Sequence, residues 1–203
     1  MKHKGSIWIS TGLLLIAAAL LLVLYNMRQS NEAGQTAQRV LTLLSENLKT
    51  EESVRASEST EELPDYVRNP DMEMPVSTVN GIDYIGVLEI PVLELELPII
   101  SDWSYTKLRT APCRYQGSAY KNDLILMAHN YVSHFGNLKN LRQGDLVRFT
   151  DEGGNVFSYT VVELETLMPM DVEEMESGDW DLTLFTCTVG GRSRVTVRCE
   201  AVS

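Results

Sequence analysis

Leu182-Thr183-Leu184-Phe185-Thr186-Cys187, then the loop Thr188-Val189-Gly190-Gly191, then Arg194-Val195-Thr196-Val197-Arg198, is the stretch on which the fold turns. Two short runs rich in β-branched residues flank a glycine-bearing loop, the pattern of paired strands. Leu124-Ile125-Leu126-Met127-Ala128 is continuously apolar, as expected of a strand buried on both faces. Leu146 to Thr150 and Val156 to Val162, joined through Asp151-Glu152-Gly153-Gly154, read as a hairpin. Asp83 to Ile90 and Leu95 to Ile100 add two strands around a proline-bearing turn, and Ser133 to Leu141 is the best helix within this region. The expectation is an all-β domain, a closed β-barrel of about seven to eight strands with minor helices; a sandwich is the other arrangement such strands allow.

Upstream, the sequence has a different character. Ile7 to Tyr25 is 19 residues without a charge, about the length a helix needs to cross a bilayer. Lys2 and Lys4 precede it, and Trp8 and Tyr25 stand where interfacial aromatics belong. A cleaved signal peptide is the rival reading, but the small residues Ala17-Ala18-Ala19 lie inside the run rather than after it. The expected organisation is a cytoplasmic N-terminus at 1–6, a transmembrane signal-anchor at 7–25, a helical segment and acidic linker at 26–75, and a catalytic domain at 76–203. Val40, Leu41, Leu44 and Leu48 give the helical segment its three- and four-residue period, so it either packs on the domain or prolongs the anchor. Glu51 to Glu73 holds eight acids against Arg55 and Arg68, the texture of a linker. The predicted location is the cell membrane, single-pass, with the catalytic domain extracellular.

Composition removes several functions. A net charge of −11 and a pI near 4.7 argue against nucleic acid as a partner. Cys113, Cys187 and Cys199 are too few and too odd in number for a disulfide scaffold, and no CxxC pair suggests zinc. A Cys113–Cys199 disulfide is left open, with Cys113 read as a loop residue after a proline and Cys199 as part of a strand.

Cys187 ends an apolar strand and His129 ends another, both rim positions on a rigid support. His134 rivals His129. Arg192, Arg194 and Arg198 gather just past the cysteine. A cysteine, a histidine and an arginine together suit acyl transfer: a thiolate attacks a carbonyl, an imidazole protonates the leaving amine, and a fixed cation holds the oxyanion.

Thr183-Leu184-Phe185-Thr186-Cys187 resembles the TLxTC signature of sortases, the membrane-anchored cysteine transpeptidases of Gram-positive surfaces. Arg194 opening the next strand, Ala128-His129-Asn130 at a strand end, the L-x-x-L-x-x-G-D run from Leu138 to Asp145, and Gly86 to Pro91 as a first barrel strand are similar to that family in the same order. The resemblance implies His129, Cys187 and Arg194 as catalytic residues, with Ala128, Asn130 and Thr186 near the substrate. It implies that Cys187 attacks an LPxTG-like sorting motif and that an amine of a cell-wall precursor or pilin resolves the thioacyl enzyme. A cysteine peptidase that ends in water, and a catalytically silent anchored domain, are the alternatives.

Ala128 replaces the usual glycine before the histidine. No second apolar span follows the domain, and no Asp-Pro-aromatic lid sequence precedes the first strand; Asp102-Trp103 lacks the proline and comes later. Both features typify pilin-polymerising sortases, so the resemblance leans to class B- or D-like enzymes. No cofactor or metal is expected. Calcium, which some sortases use, has only Glu163, Glu165, Glu173 and Glu174 to draw on, read as an acidic loop without ligand spacing.

Overall fold

The computed structural model describes residues 3–55 and 63–202, with side chains at 8–44 and 63–202. Lys2, and the linker residues 56–62 with Glu58, Glu61 and Glu62, lie outside the described residues.

Nine strands follow one another as β1 (Ser77–Val79), β2 (Ile82–Ile90), β3 (Leu95–Ile100), β4 (Cys113–Gln116), β5 (Leu124–Ala128), β6 (Leu146–Asp151), β7 (Val156–Leu167), β8 (Leu182–Cys187) and β9 (Arg194–Ala201). They hydrogen-bond in the order β1-β2-β3-β4-β5-β8-β9-β7-β6, and β6 returns to pair with β2. That last ladder, with Leu88 opposite Phe149, closes eight strands into a barrel and leaves β1 as an outer addition. Closure depends on Gly86, which sits at φ +149°, where a Cβ would come within 2.1 Å of the Thr150 carbonyl oxygen. No side chain fits there, so β2 can bend and approach β6 only through glycine.

Residues alternate across the wall made by β5, β8 and β9. Leu124, Leu126, Leu182, Leu184, Val197 and Cys199 point into the barrel and join Leu88, Phe149 and Tyr159 in its core. Ile125 and Phe185 point outward and form a second cluster with Leu167 and Met175. The period of two therefore gives this wall a buried face on each side.

One continuous helix, α1 (His3–Arg55), spans both the apolar run and the amphipathic segment. Residues Trp8 to Leu24 are exposed all round, and this helix is long and apolar enough to cross a membrane. Further along, Val40, Leu41 and Leu44 are buried with Val79, Tyr84, Ile100 and Leu108. The amphipathic segment thus both prolongs the apolar helix and packs on the barrel. At Ser133, α1 is latched: the Ser133 hydroxyl donates to the Ser30 carbonyl at 2.7 Å, and Gly34 passes so close that a Cβ there would meet the Ser133 Cβ at 3.0 Å.

Three readings of the sequence need correction. Ser133 to Leu141 is not an α-helix; it is a run of turns with a 3-10 turn at Leu138–Asn140. Gly136 lies so close to the Asn130 and Tyr131 carbonyls that the chain folds back on itself before a helix can begin. Cys113 is in β4, opposite Met127, not in a loop. Glu163 and Glu165 lie on β7, which runs five residues past the expected end at Val162, while Glu173 and Glu174 lie in α3 (Val172–Met175), the helix that follows the short α2 (Asp65–Arg68) in the chain.

Candidate active site

The outer face of the β5–β8–β9 wall ends in a cleft of about 250 Å³ lined by His129, Cys187 and Arg194 together. The register explains the meeting. Ala128 stands beside Thr186 in the parallel β5–β8 ladder, so His129 is the next residue past that pair, alongside Cys187. Cys187 is directly opposite Arg194 in the antiparallel β8–β9 ladder, which puts both side chains on one face. Thr186 locks the strand ends, its hydroxyl donating to the Ala128 carbonyl at 2.8 Å.

The arginines separate by their partners. Arg198 is buried and fully engaged: it pairs with Glu165 at 2.6 Å, donates to the Thr183 hydroxyl at 3.0 Å, and reaches the Glu174 and Met175 carbonyls. It therefore holds α3 against the barrel. Arg192 is exposed in the loop. Arg194 alone of the three lines the cleft, with its guanidinium donating to the Gly191 and Ser193 carbonyls at 3.3 and 3.2 Å.

The histidines separate by burial. His134 is fully buried, neither ring nitrogen finds a partner, and burial lowers its pKa to about 4. His129 is half-buried on the cleft; burial, then the positive charge of Arg109, lowers its pKa. A lowered pKa keeps the imidazole neutral near pH 7, ready to accept a proton. Tyr131 lies between the two rings, 5.1 Å from His129 and 5.5 Å from His134 by ring centroids.

Cys187 is half-buried, whereas Cys113 and Cys199 are buried and burial pushes both thiols up to about 12. Cys113 and Cys199 are free and lie in different clusters, Cys113 under α1 and Cys199 inside the barrel, so they form no disulfide. Of the remaining expected residues, Ala128 and Thr186 line the cleft, while exposed Asn130 faces a separate cavity beside α1. Among the described residues, no three carboxylate, histidine or cysteine side chains converge as a metal site, and Glu165 is committed to Arg198.

Sequence reasoning missed the cleft walls. Trp103, Tyr105 and Tyr115 form one side, with Trp103 against both tyrosines. Met168, Val172 and Met175 form the other, tied down where the Tyr115 hydroxyl bonds Glu176 at 2.7 Å. The only hint in the sequence is the presence of Trp103, Tyr105, Met168 and Val172 in otherwise polar stretches.

A family model described as the sortase domain matches residues 88–202, more than half of the chain, and this chain belongs to the sortase family, a family of cysteine transpeptidases. Sortase C from Clostridium perfringens SM101 is 24% identical, with a TM-score of 0.52 over 79% of this chain and 88% of that one. A Clostridium perfringens sortase C solved with the C-terminal cell wall sorting motif is 22% identical, with a TM-score of 0.54 over the same shares. A Clostridium perfringens sortase D5 transpeptidase is 18% identical, with a TM-score of 0.58 over 85% of this chain and 99% of that one. At these identities the structures share the fold. No curated protein sequence matches the chain.

Proposed function

We propose that the chain cleaves an LPxTG-like sorting motif and transfers the acyl half to an amine of a cell-wall precursor or pilin. The observation that carries this reading is the strand register that gathers His129, Cys187 and Arg194 at one cleft. In the first half-reaction the Cys187 thiol gives its proton to the neutral His129 imidazole, and the thiolate attacks the carbonyl carbon of the Thr–Gly bond. Negative charge on the carbonyl oxygen is met by Arg194, which stays charged at any working pH. As the C–N bond breaks, the imidazolium returns its proton to the leaving amine, leaving a thioester on Cys187. In the second, an acceptor amine attacks the thioester, loses a proton to His129, and expels the thiolate, which is reprotonated.

The apolar cleft walls suit an extended peptide with large apolar side chains, and the sorting motif bound to the similar sortase C supports the same substrate class. Residues 7–25 of α1 are proposed to span the cell membrane, with the barrel outside and Lys2 and Lys4 inside. The proposed class is B- or D-like, without a cofactor.

The test uses the full chain in detergent, because α1 covers part of the barrel. Incubated with a library of LPxTG-like peptides and an amine, it should yield a thioacyl adduct on Cys187 by mass spectrometry and then an amide product. Hydrolysis alone, whatever amine is added, would instead mark a peptidase. No adduct with any peptide would refute the proposal.

A further inference from the structure

The loops that follow His129 and Cys187 each carry an unusually exposed valine. Val132 is 67% exposed and Val189 is 91% exposed, though each lies within three residues of the cleft. Neither contributes to any of the buried clusters. Both line one cavity of about 510 Å³ against α1, and the helix residues that complete it are Asn26, Met27, Ser30 and Asn31. Met27 is itself 57% exposed.

That position on α1 fixes a height. The uncharged run ends at Tyr25, and 19 residues at about 1.5 Å each cover roughly 28 Å, the hydrocarbon thickness of a bilayer. The polar headgroup layer adds about 5–7 Å on each side, close to the rise of four helical residues. Asn26 to Gln29 therefore occupy that layer, and the loops that share the cavity with Asn26 and Met27 lie at its depth. The height is locked, since Ser133 is bonded to Ser30 and Gly34 allows the loop to sit flush on the helix. Arg28 on the helix and Arg192 in the second loop are exposed cations placed to meet lipid phosphates.

We infer that the loops 130–133 and 188–193 dip into the outer lipid interface, with Val132 and Val189 immersed beside the end of the span. The occupant of this apolar face is phospholipid. The inference rests on the proposed membrane span and extends it: the span does not merely tether the barrel but sets its orientation, because two catalytic loops share the interface with it.

Val132→Cys, Val189→Cys, Leu14→Cys and Val156→Cys, each introduced alone into full-length Cys187→Ala protein, test this. Cys113 and Cys199 are buried and remain unlabelled. Leu14 reports the span; Val156, 59% exposed at the start of β7, the strand whose opposite end pairs Leu167 with Arg194, is the aqueous control. Each variant is labelled with a nitrobenzoxadiazole probe and reconstituted into vesicles of phosphatidylcholine and phosphatidylglycerol, with or without lipid carrying a nitroxide on the acyl chain. Probes at 132 and 189 should lose roughly half their emission to the nitroxide, as expected about 5–10 Å into the interface, while the probe at 156 loses almost none. If either loop probe behaves like position 156 while position 14 is quenched, the interfacial contact is wrong and the span stands. If position 14 is also unquenched, the span is wrong and the inference falls with it.

Discussion

Cys187 and Arg194 face each other across the last rung of the β8–β9 ladder, where one strand ends and the other begins. Being a directly opposed pair, their side chains emerge on one face with Cβ atoms about 5 Å apart, and no loop intervenes to blur that spacing. Arg198, two rungs of the same face further in, is consumed by Glu165, Thr183 and two α3 carbonyls.

The two arginines should therefore fail in different ways. Arg194→Ala is expected to lower the transfer rate by about 10²–10³ with an unchanged melting temperature, the scale of one lost oxyanion donor. Arg198→Ala should cost about 3 kcal/mol of stability by stranding Glu165 and the buried carbonyls. Thermal denaturation alongside rates with a sorting-motif peptide separates them; inactivity in Arg198→Ala with a wild-type melting temperature would reverse the assignment.

The strand ends were legible in the sequence because alternation, glycine loops and a cysteine at the end of an apolar run are local signals. Leu182 to Cys187 and Leu124 to Ala128 needed no tertiary information, and their parallel pairing is what brings His129 beside Cys187. The cleft walls were not legible. Trp103, Tyr115, Met168 and Met175 converge only through the barrel's connections, and no spacing in the chain relates them. Ser133 to Leu141 has a helical pattern that the close approach of Gly136 to the Asn130 carbonyl overrides. The role of Arg198 was equally hidden, since its partners come from β7, β8 and α3.

His129→Ala should abolish turnover, and His134→Ala should retain the chemistry while weakening the fold. His134 is buried beneath Tyr131 and does not line the cleft. Single-turnover acylation of Cys187 is the discriminating measurement, and its loss in His134→Ala protein that still melts cooperatively near the wild-type temperature would contradict the reading.

Acid should act on the fold through the same buried ring. The His134 pKa is about 4 in the folded chain and near 6.5 when unfolded, so below pH 6.5 the unfolded chain binds the extra proton. Stability is unaffected above pH 6.5, declines as pH falls from 6.5 to 4, and levels off below, a loss of roughly 3 kcal/mol from this group. Urea midpoints across that range should fall less steeply in His134→Phe than in wild type. Parallel slopes would mean that another group carries the acid sensitivity.

Thr186 should act through position alone. Its hydroxyl is committed to the Ala128 carbonyl and so ties β8 to β5 one residue before both His129 and Cys187. Thr186→Val keeps the shape but removes that hydrogen bond, at a cost of about 1 kcal/mol. Thr186→Ser restores the donor. If Thr186 sets the spacing of the imidazole and the thiol, the valine variant loses about 10-fold in acylation rate with little change in KM, since a small misplacement of reacting groups acts on the chemical step. The serine variant recovers most of the rate. Equal rates for valine and serine, with only the melting temperature differing, would reduce Thr186 to a structural strut.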